Sequence, residues 1–290
     1  MYQPEDTTLM STCYLDDQNR FVIEDFNSFP AFASFLPGIA GPLGVPLWAF
    51  YANRGQVIAS FGVETKDSPI LEFEPANKAY QTTATTGFRT FIKLVRDGKS
   101  LLYEPFAPWT SGDSTRLIVD MNELQLQASS LDHGLQTDIV YFTLSGEPFA
   151  GLVRMVTVTN TGSTPVALEL LDGLPRVIPF GVDNNGLKQI GRTLEAWMAV
   201  FNLEQRVPFY RLQASADDSA EVAAINASHF SLAFDVADNS GQLLPVVVDP
   251  QVAFGHNTSL HTPDGFAGRS LEHLLTLPQI TQGKTPCALF

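Results

Sequence analysis

Apolar residues recur at every second position along much of the chain. Val57, Ala59, Phe61 and Val63 alternate with Ile58, Ser60 and Gly62, and Phe88, Thr90, Ile92 and Leu94 alternate with Arg89, Phe91, Lys93 and Val95. A two-residue period matches a β-strand, whose successive side chains point to opposite faces. Arg96-Asp-Gly-Lys99 separates the second run from Leu101-Leu-Tyr103, and Asp-Gly between two β-rich runs signals a hairpin. Further strands are predicted over Leu117–Met121, Leu124–Leu126, Asp138–Leu144, Gly151–Thr159, Val166–Leu171, Phe230–Val236 and Pro245–Val248. Asn160-Thr-Gly-Ser-Thr-Pro165 links two of them with turn residues. Runs that are partly apolar on both faces, such as Phe88–Val95, predict sheets stacked face to face. The expected class is all-β, a large two-sheet β-sandwich.

One segment departs from this period. Leu187, Ile190, Leu194, Trp197, Met198 and Phe201 recur at helical spacing and predict one prominent amphipathic helix over Gly186–Asn202. Gly191 weakens it. The stripe reads as core packing against the sheets. Ala214–Ala224, with Asp217, Asp218 and Glu221, reads as an acidic surface loop.

Within Phe35–Gln56, the stretch that holds Pro37, Gly38, Gly41, Pro42, Gly44 and Pro46 cannot form a regular helix or a central strand. Trp48, Phe50 and Tyr51 follow at once, and Arg54 and Gln56 frame a glycine before the next strand. Such a segment is either a loop packed under a sheet or a place where binding residues gather. Sugar recognition needs aromatic faces and polar groups together. Trp48, Tyr51, Asn53, Arg54, Lys78 and Tyr80 supply both and are the candidate carbohydrate-binding residues. Arg54 has two readings: an anchor for loop carbonyls or for Glu72 or Glu74, or a side chain facing sugar.

The length of 290 residues suits one large β domain. A formal net charge of −14 argues against nucleic acid or an anionic membrane as partner. Cys13 and Cys287 are too few for a disulfide scaffold, and the start at Met1 shows no signal peptide. No apolar run approaches the roughly 20 residues of a membrane span. A cytoplasmic location is expected.

Leu36-Pro-Gly-Ile-Ala40, Trp48 to Arg54, Ala59-Ser-Phe-Gly62 and Phe73-Glu-Pro-Ala-Asn-Lys-Ala-Tyr-Gln81 carry a resemblance, as do Leu171-Asp-Gly-Leu-Pro175, Pro179-Phe-Gly181 and Val252-Ala-Phe-Gly255. They resemble the N-terminal region of the inverting glycoside phosphorylases of the cellobiose-phosphorylase-like group. The likeness spans nearly the whole chain. It implies a galactose-mutarotase-like sandwich as a single domain over 1–290, without the helical barrel that carries catalysis in that group. The chain stops within what reads as a strand at Thr285–Phe290, so it looks truncated there. The implied parent reaction is reversible phosphorolysis of a β-linked glucan by inorganic phosphate to a sugar 1-phosphate, with no organic cofactor. The implied partners are that oligosaccharide, the missing catalytic barrel and a second subunit in a homodimer. The domain itself is expected to be a non-catalytic scaffold bordering the sugar site.

Chemistry read from the residues alone is sparse. No phosphate loop, dinucleotide loop, His-Glu-x-x-His or Gly-x-Ser-x-Gly occurs. His256 and His261 stand five apart in a polar loop, which is no zinc spacing, so no metal is expected. Glu72 and Glu74 read as a solvated strand face and Asp172 as a residue that satisfies turn amides. Two other classes stay open: a stand-alone carbohydrate-binding module, and a complete mutarotase-like or lyase-like enzyme. The enzyme needs a carboxylate converging with one of His133, His229, His256, His261 or His273.

Overall fold

The computed structural model describes residues 12–38, 40–96, 99–215, 223–238 and 240–290. In chain order the strands begin with β1 (Cys13–Leu15), β2 (Phe21–Glu24), β3 (Ala33–Leu36), β4 (Leu47–Ala52), β5 (Ile58–Val63) and β6 (Pro69–Leu71). Helix α1 (Ala76–Thr86) follows, then β7 (Arg89–Arg96), β8 (Lys99–Tyr103), β9 (Asp113–Val119), β10 (Glu123–Ser130), β11 (Leu135–Thr143), β12 (Leu152–Asn160) and β13 (Ala167–Leu174). Helix α2 (Asn184–Glu195) leads into β14 (Met198–Phe201), β15 (Phe209–Leu212) and β16 (His229–Phe230). Three short helices, α3 (Pro250–Phe254), α4 (Asp264–Ala267) and α5 (Leu271–Thr276), precede β17 (Ala288–Leu289).

The strands form several antiparallel sheets. One has six strands in the order β1-β2-β9-β10-β11-β12. Two have four, β3-β4-β5-β6 and β17-β13-β7-β8, and β14-β15-β16 form a smaller one. In the six-stranded sheet the two-residue period sorts the faces. Leu124, Leu126 and Ala128 of β10 and Leu135, Ile139 and Tyr141 of β11 are buried, while Gln125, Gln127 and Gln136 face outward between them. A half-apolar antiparallel sheet covers a core with one face and meets water with the other. The main core cluster draws on all four sheets: Leu117 and Tyr141 from the first, Tyr51 and Phe61 from the second, Leu174 and Ala288 from the third, Val200 and Tyr210 from the fourth.

Besides apolar packing, one arginine links several of these sheets. Arg154 on β12 grips Asp172 on β13 in two parallel bonds, Nε to Oδ2 at 3.0 Å and Nη2 to Oδ1 at 2.7 Å. Its Nη2 also donates to Thr90 Oγ1 on β7 at 2.8 Å and to Gln56 Oε1 at 2.5 Å, and its Nη1 donates to the Tyr141 hydroxyl. Thr90 donates to Asp172 at 2.6 Å, and Tyr141 donates to the Gln56 carbonyl at 3.1 Å. The guanidinium lies 5.1 Å from the ring centres of both Phe88 and Tyr141. Burial works against the charge of Arg154, but Asp172 and Tyr141 outweigh it and raise its pKa. Asp172 is therefore no turn cap. It sits inside β13, where Gly173 lets the chain pass close to β17: its φ is +140°, and a Cβ there would meet the Ala288 carbonyl oxygen at 2.0 Å.

Several expectations change in the structure. The predicted helix ends at Glu195, and Met198–Phe201 is strand β14. Ile190 already departs from helical backbone at φ −131°, beside Gly191. Met198, Ala199 and Val200 gain more from pairing with β15 and burial than from another helical turn. Ile190 and Trp197 are exposed, so only Leu187, Leu194 and Met198 of the stripe reach the core. Helix α1 escapes the periodicity because it buries only Ala79 and Thr83. It sits close on β4 and β5 through small residues, Ala79 meeting Ala52 and Ala59. The predicted strand Phe230–Val236 is strand only at Phe230, with one further bridge from Phe234 to Leu243, and Pro245–Val248 contributes one bridge, Val247 to Leu289. The β7–β8 hairpin forms with Arg96 opposite Lys99, and its Asp97-Gly98 turn lies outside the described residues. Asp217, Asp218 and Glu221 lie outside them too. No described helix is long and apolar enough to cross a membrane.

Arg154→Ala leaves Asp172, Gln56 and Tyr141 without their shared partner. Removing one member of a buried ion pair costs about 3–5 kcal/mol. We expect a loss near the lower figure, because Asp172 keeps 18% side-chain exposure. Chemical denaturation should show a lower midpoint at an unchanged slope.

Candidate functional site

A cleft beside α2 has a volume of about 600 Å³. Its charged groups come from three stretches of chain. Glu72 follows β6, Arg176 follows β13, and Lys188, Arg192 and Glu195 come from α2. Asp183 caps α2 by accepting a hydrogen bond from Gly186 N at 2.5 Å. Apolar contacts of Leu187 and Leu194 hold the helix against Ile178 and Met198. Lys188, Arg192 and Glu195 all line the cleft although the backbone leaves helical geometry at Ile190 between them.

Two of the charged groups have structural work. Glu195 accepts from both the backbone N and the hydroxyl of Thr285 at 3.1 Å. Arg192 approaches Glu195 at 3.8 Å, but it is 98% exposed, and such a pair contributes little. Glu72 and Arg176 make no hydrogen bond and no salt bridge among the described residues. Both are partly buried. Burial, helped by Glu74, raises the Glu72 pKa against the pull of Arg176, Lys188 and Lys78. Glu72 is thus not the solvated strand-face residue its sequence setting predicts. Glu74 is engaged elsewhere and accepts from the Thr82 hydroxyl on α1 at 2.7 Å.

The six residues expected to bind sugar are placed otherwise. Asn53 is fully buried, and its amide donates to the carbonyls of Phe26, Phe29 and Pro30 at 2.9, 3.3 and 3.1 Å. Its oxygen accepts from Phe32 N at 2.8 Å, so no polar atom is left for a ligand. Tyr51 is buried against Phe32 at 5.9 Å between ring centres, and burial raises its pKa. Trp48 lies edge-on to Phe73 at 5.7 Å and donates its indole N–H to the Thr65 carbonyl at 2.8 Å. Arg54 reaches loop carbonyls, Asn53 O at 2.6 Å and Phe26 O at 3.5 Å, and neither Glu72 nor Glu74. Tyr80 packs with Trp48 and Phe73, and Lys78 is exposed on α1. Tyr51, Asn53 and Arg54 are internal fasteners. Of the six, only Lys78 bears on the cleft, through the field it exerts on Glu72.

The histidines have separate surroundings. His133 stacks on Tyr103 at 4.2 Å, His261 lies 4.6 Å from Trp109, and His229 is buried with Nδ1 2.9 Å from the Ile178 carbonyl. Among the described residues no three His, Cys, Asp or Glu side chains gather as a metal site requires. No family model and no curated protein matches the chain.

Two substitutions separate the fasteners from the cleft. Asn53→Ala strands backbone groups at four positions and should cost about 2–3 kcal/mol in denaturation, given roughly 1–3 kcal/mol per buried unpaired group. Glu72 has the opposite sign. Its raised folded-state pKa means the folded chain holds the proton more tightly than the unfolded chain. Stability is therefore greatest below the ordinary carboxyl value of 4.5 and is lost as pH rises through the folded value. Glu72→Gln should raise the melting temperature at about pH 8 and leave it unchanged near about pH 4.

Proposed function

We propose that this chain is the non-catalytic N-terminal domain of an inverting glycoside phosphorylase of the cellobiose-phosphorylase-like group, with its closest likeness to the β-1,2-oligoglucan phosphorylases. On this reading the sheets form a galactose-mutarotase-like sandwich, and the domain works in the cytoplasm without a cofactor. It serves as scaffold and interface for a catalytic helical barrel and a second subunit, and borders the site where a β-linked glucan meets inorganic phosphate. The motifs from Leu36 to Gln81 and from Leu171 to Gly255 support the family.

One observation carries the interface role. Phe230, Leu232, Phe234 and Val236 are exposed by 41%, 42%, 52% and 69%, every second residue in a row. Phe209, paired with Phe230, and Phe149, edge-on to Phe230 at 5.6 Å, extend the same surface and are exposed as well. Isolated apolar side chains on a surface are ordinary, but a contiguous row marks a contact face. A second reading, a stand-alone carbohydrate-binding module, draws on the charged cleft beside α2.

Phosphorolysis and association test the reading together. The isolated chain, given β-linked glucose oligosaccharides and phosphate, should release no sugar 1-phosphate above a blank. It should bind an apolar dye and self-associate, and Leu232→Ser with Phe234→Ser should abolish both without changing its circular dichroism. Activity in the isolated chain, or a clean monomer that binds no dye, overturns the proposal.

A further inference from the structure

Glu72 and Arg176 line the cleft beside α2 from two different strands' ends, and neither has a hydrogen-bond or salt-bridge partner among the described residues. Of the other charges nearby, Glu195 fixes Thr285 and Glu74 holds Thr82, while Lys188 and the exposed Arg192 add positive charge to the same wall. A half-buried carboxylate and a half-buried guanidinium that share a cavity without bonding each other both retain unmet hydrogen-bonding capacity. Groups taken partly out of water and left unpaired are costly, and such sites are where ligands complete the pairing.

We infer that this cleft binds a short neutral oligosaccharide, with Glu72 accepting from sugar hydroxyls and Arg176 donating to them. A hydroxyl is both donor and acceptor, so a polyol satisfies carboxylates and cations set along one wall. A phosphate would be drawn by Arg176, Lys188 and Arg192 but would face Glu72 and Glu195 across the same space, whereas a neutral polyol meets all five groups without charge repulsion. Leu187 and the 46%-exposed Ile190 offer apolar surface for the C–H faces of a sugar ring in place of an aromatic one. The volume of about 600 Å³ falls within the roughly 300–1,000 Å³ of small-molecule sites. The inference rests on the carbohydrate reading above and deepens it, because it moves the sugar contact from Trp48–Tyr80 to the α2 cleft.

The test is a titration of the full chain, followed by calorimetry and by amide NMR shifts. The probes are β-linked glucose di- and trisaccharides, inorganic phosphate and glucose 1-phosphate. Saturable sugar binding is expected, with shifts centred on α2 and the backbone of Glu72 and Arg176. Glu72→Ala and Arg176→Ala should each weaken it tenfold or more, and Arg116→Ala, on the far polar sheet face, should not change it. Glu72→Gln keeps the side chain's shape and serves if Glu72→Ala does not fold. No sugar binding, binding that survives both cleft substitutions, or phosphate displacing the sugar from the cleft each overturns the inference. The domain assignment fails separately. Sugar binding in the cleft of a chain that yields no phosphorolysis when joined to a helical barrel would sink the assignment and leave the cleft intact. Phosphorolysis with an empty cleft would do the reverse.

Discussion

The bidentate grip of Arg154 on Asp172 is the constraint around which the sheets are arranged. It joins the last strand of the six-stranded sheet to the β13–β7 pair, and through Gln56 it reaches the turn that enters β5. A charge this deep survives only if its donors are consumed in good geometry, because burial of an unpaired guanidinium would cost several kcal/mol. The chain meets that demand with four side chains from four separate strands or turns. Each therefore fixes the distance between its own element and β12. Such a network adds register more than net stability, since a well-packed apolar replacement of equal shape can be as stable. One donor remains outside it: Gln56 Nε2 is buried without a partner.

The turn that delivers Gln56 is strained for that purpose. Gly55 and Val57 both have positive φ, +56° and +61°. For glycine this is free, and here it is also required by space, because a Cβ would meet Ala84 of α1 at 2.6 Å. For Val57, a β-branched residue, the conformation costs on the order of 1–3 kcal/mol and persists only where its surroundings over-determine it. They do so on both sides. Asn53 ties the turn's start to the carbonyls of residues 26–30, Asn27 accepts from Gly55 N at 2.8 Å, and Gln56 plugs into the arginine network. Helix α1 then lies across the turn, and its small side chains make that approach possible.

This explains which parts of the molecule could be read from the residues. Leu124–Leu126 of β10 is legible because one face is apolar and the other carries Gln, while β11, with Val140 and Phe142 on its outer face, is legible only from Asp138 onward. The hairpin after β7 was legible for its turn dipeptide. Helix α1 was not, because it is held by shape rather than by a stripe: Ala79 and Thr83 are too weakly apolar to show a period. Met198–Phe201 was read as helix because its four residues fit either period, and only pairing with β15 decides between them. The aromatic and polar richness of residues 48–56 was a true signal of importance with the wrong object. Those side chains fasten the turn, and a fastener and a ligand anchor use the same residue types. The cleft was hidden for another reason. Glu72, Arg176 and Lys188 are more than a hundred positions apart at their extremes, and only the fold brings them to one cavity.

The cleft and the exposed apolar row belong to one mechanical unit. Met198 lines the cleft and opens β14, which pairs with β15. The β15 residue Phe209 pairs with Phe230, where the apolar row begins. The small sheet thus has a polar cavity at its first strand and an apolar edge at its last, separated by the buried Tyr210 and Leu212. Close-packed elements of this kind shift as bodies, because their interiors do not compress. The arginine network draws on the other three sheets and their turns, and the small sheet that carries the apolar row takes no part in it.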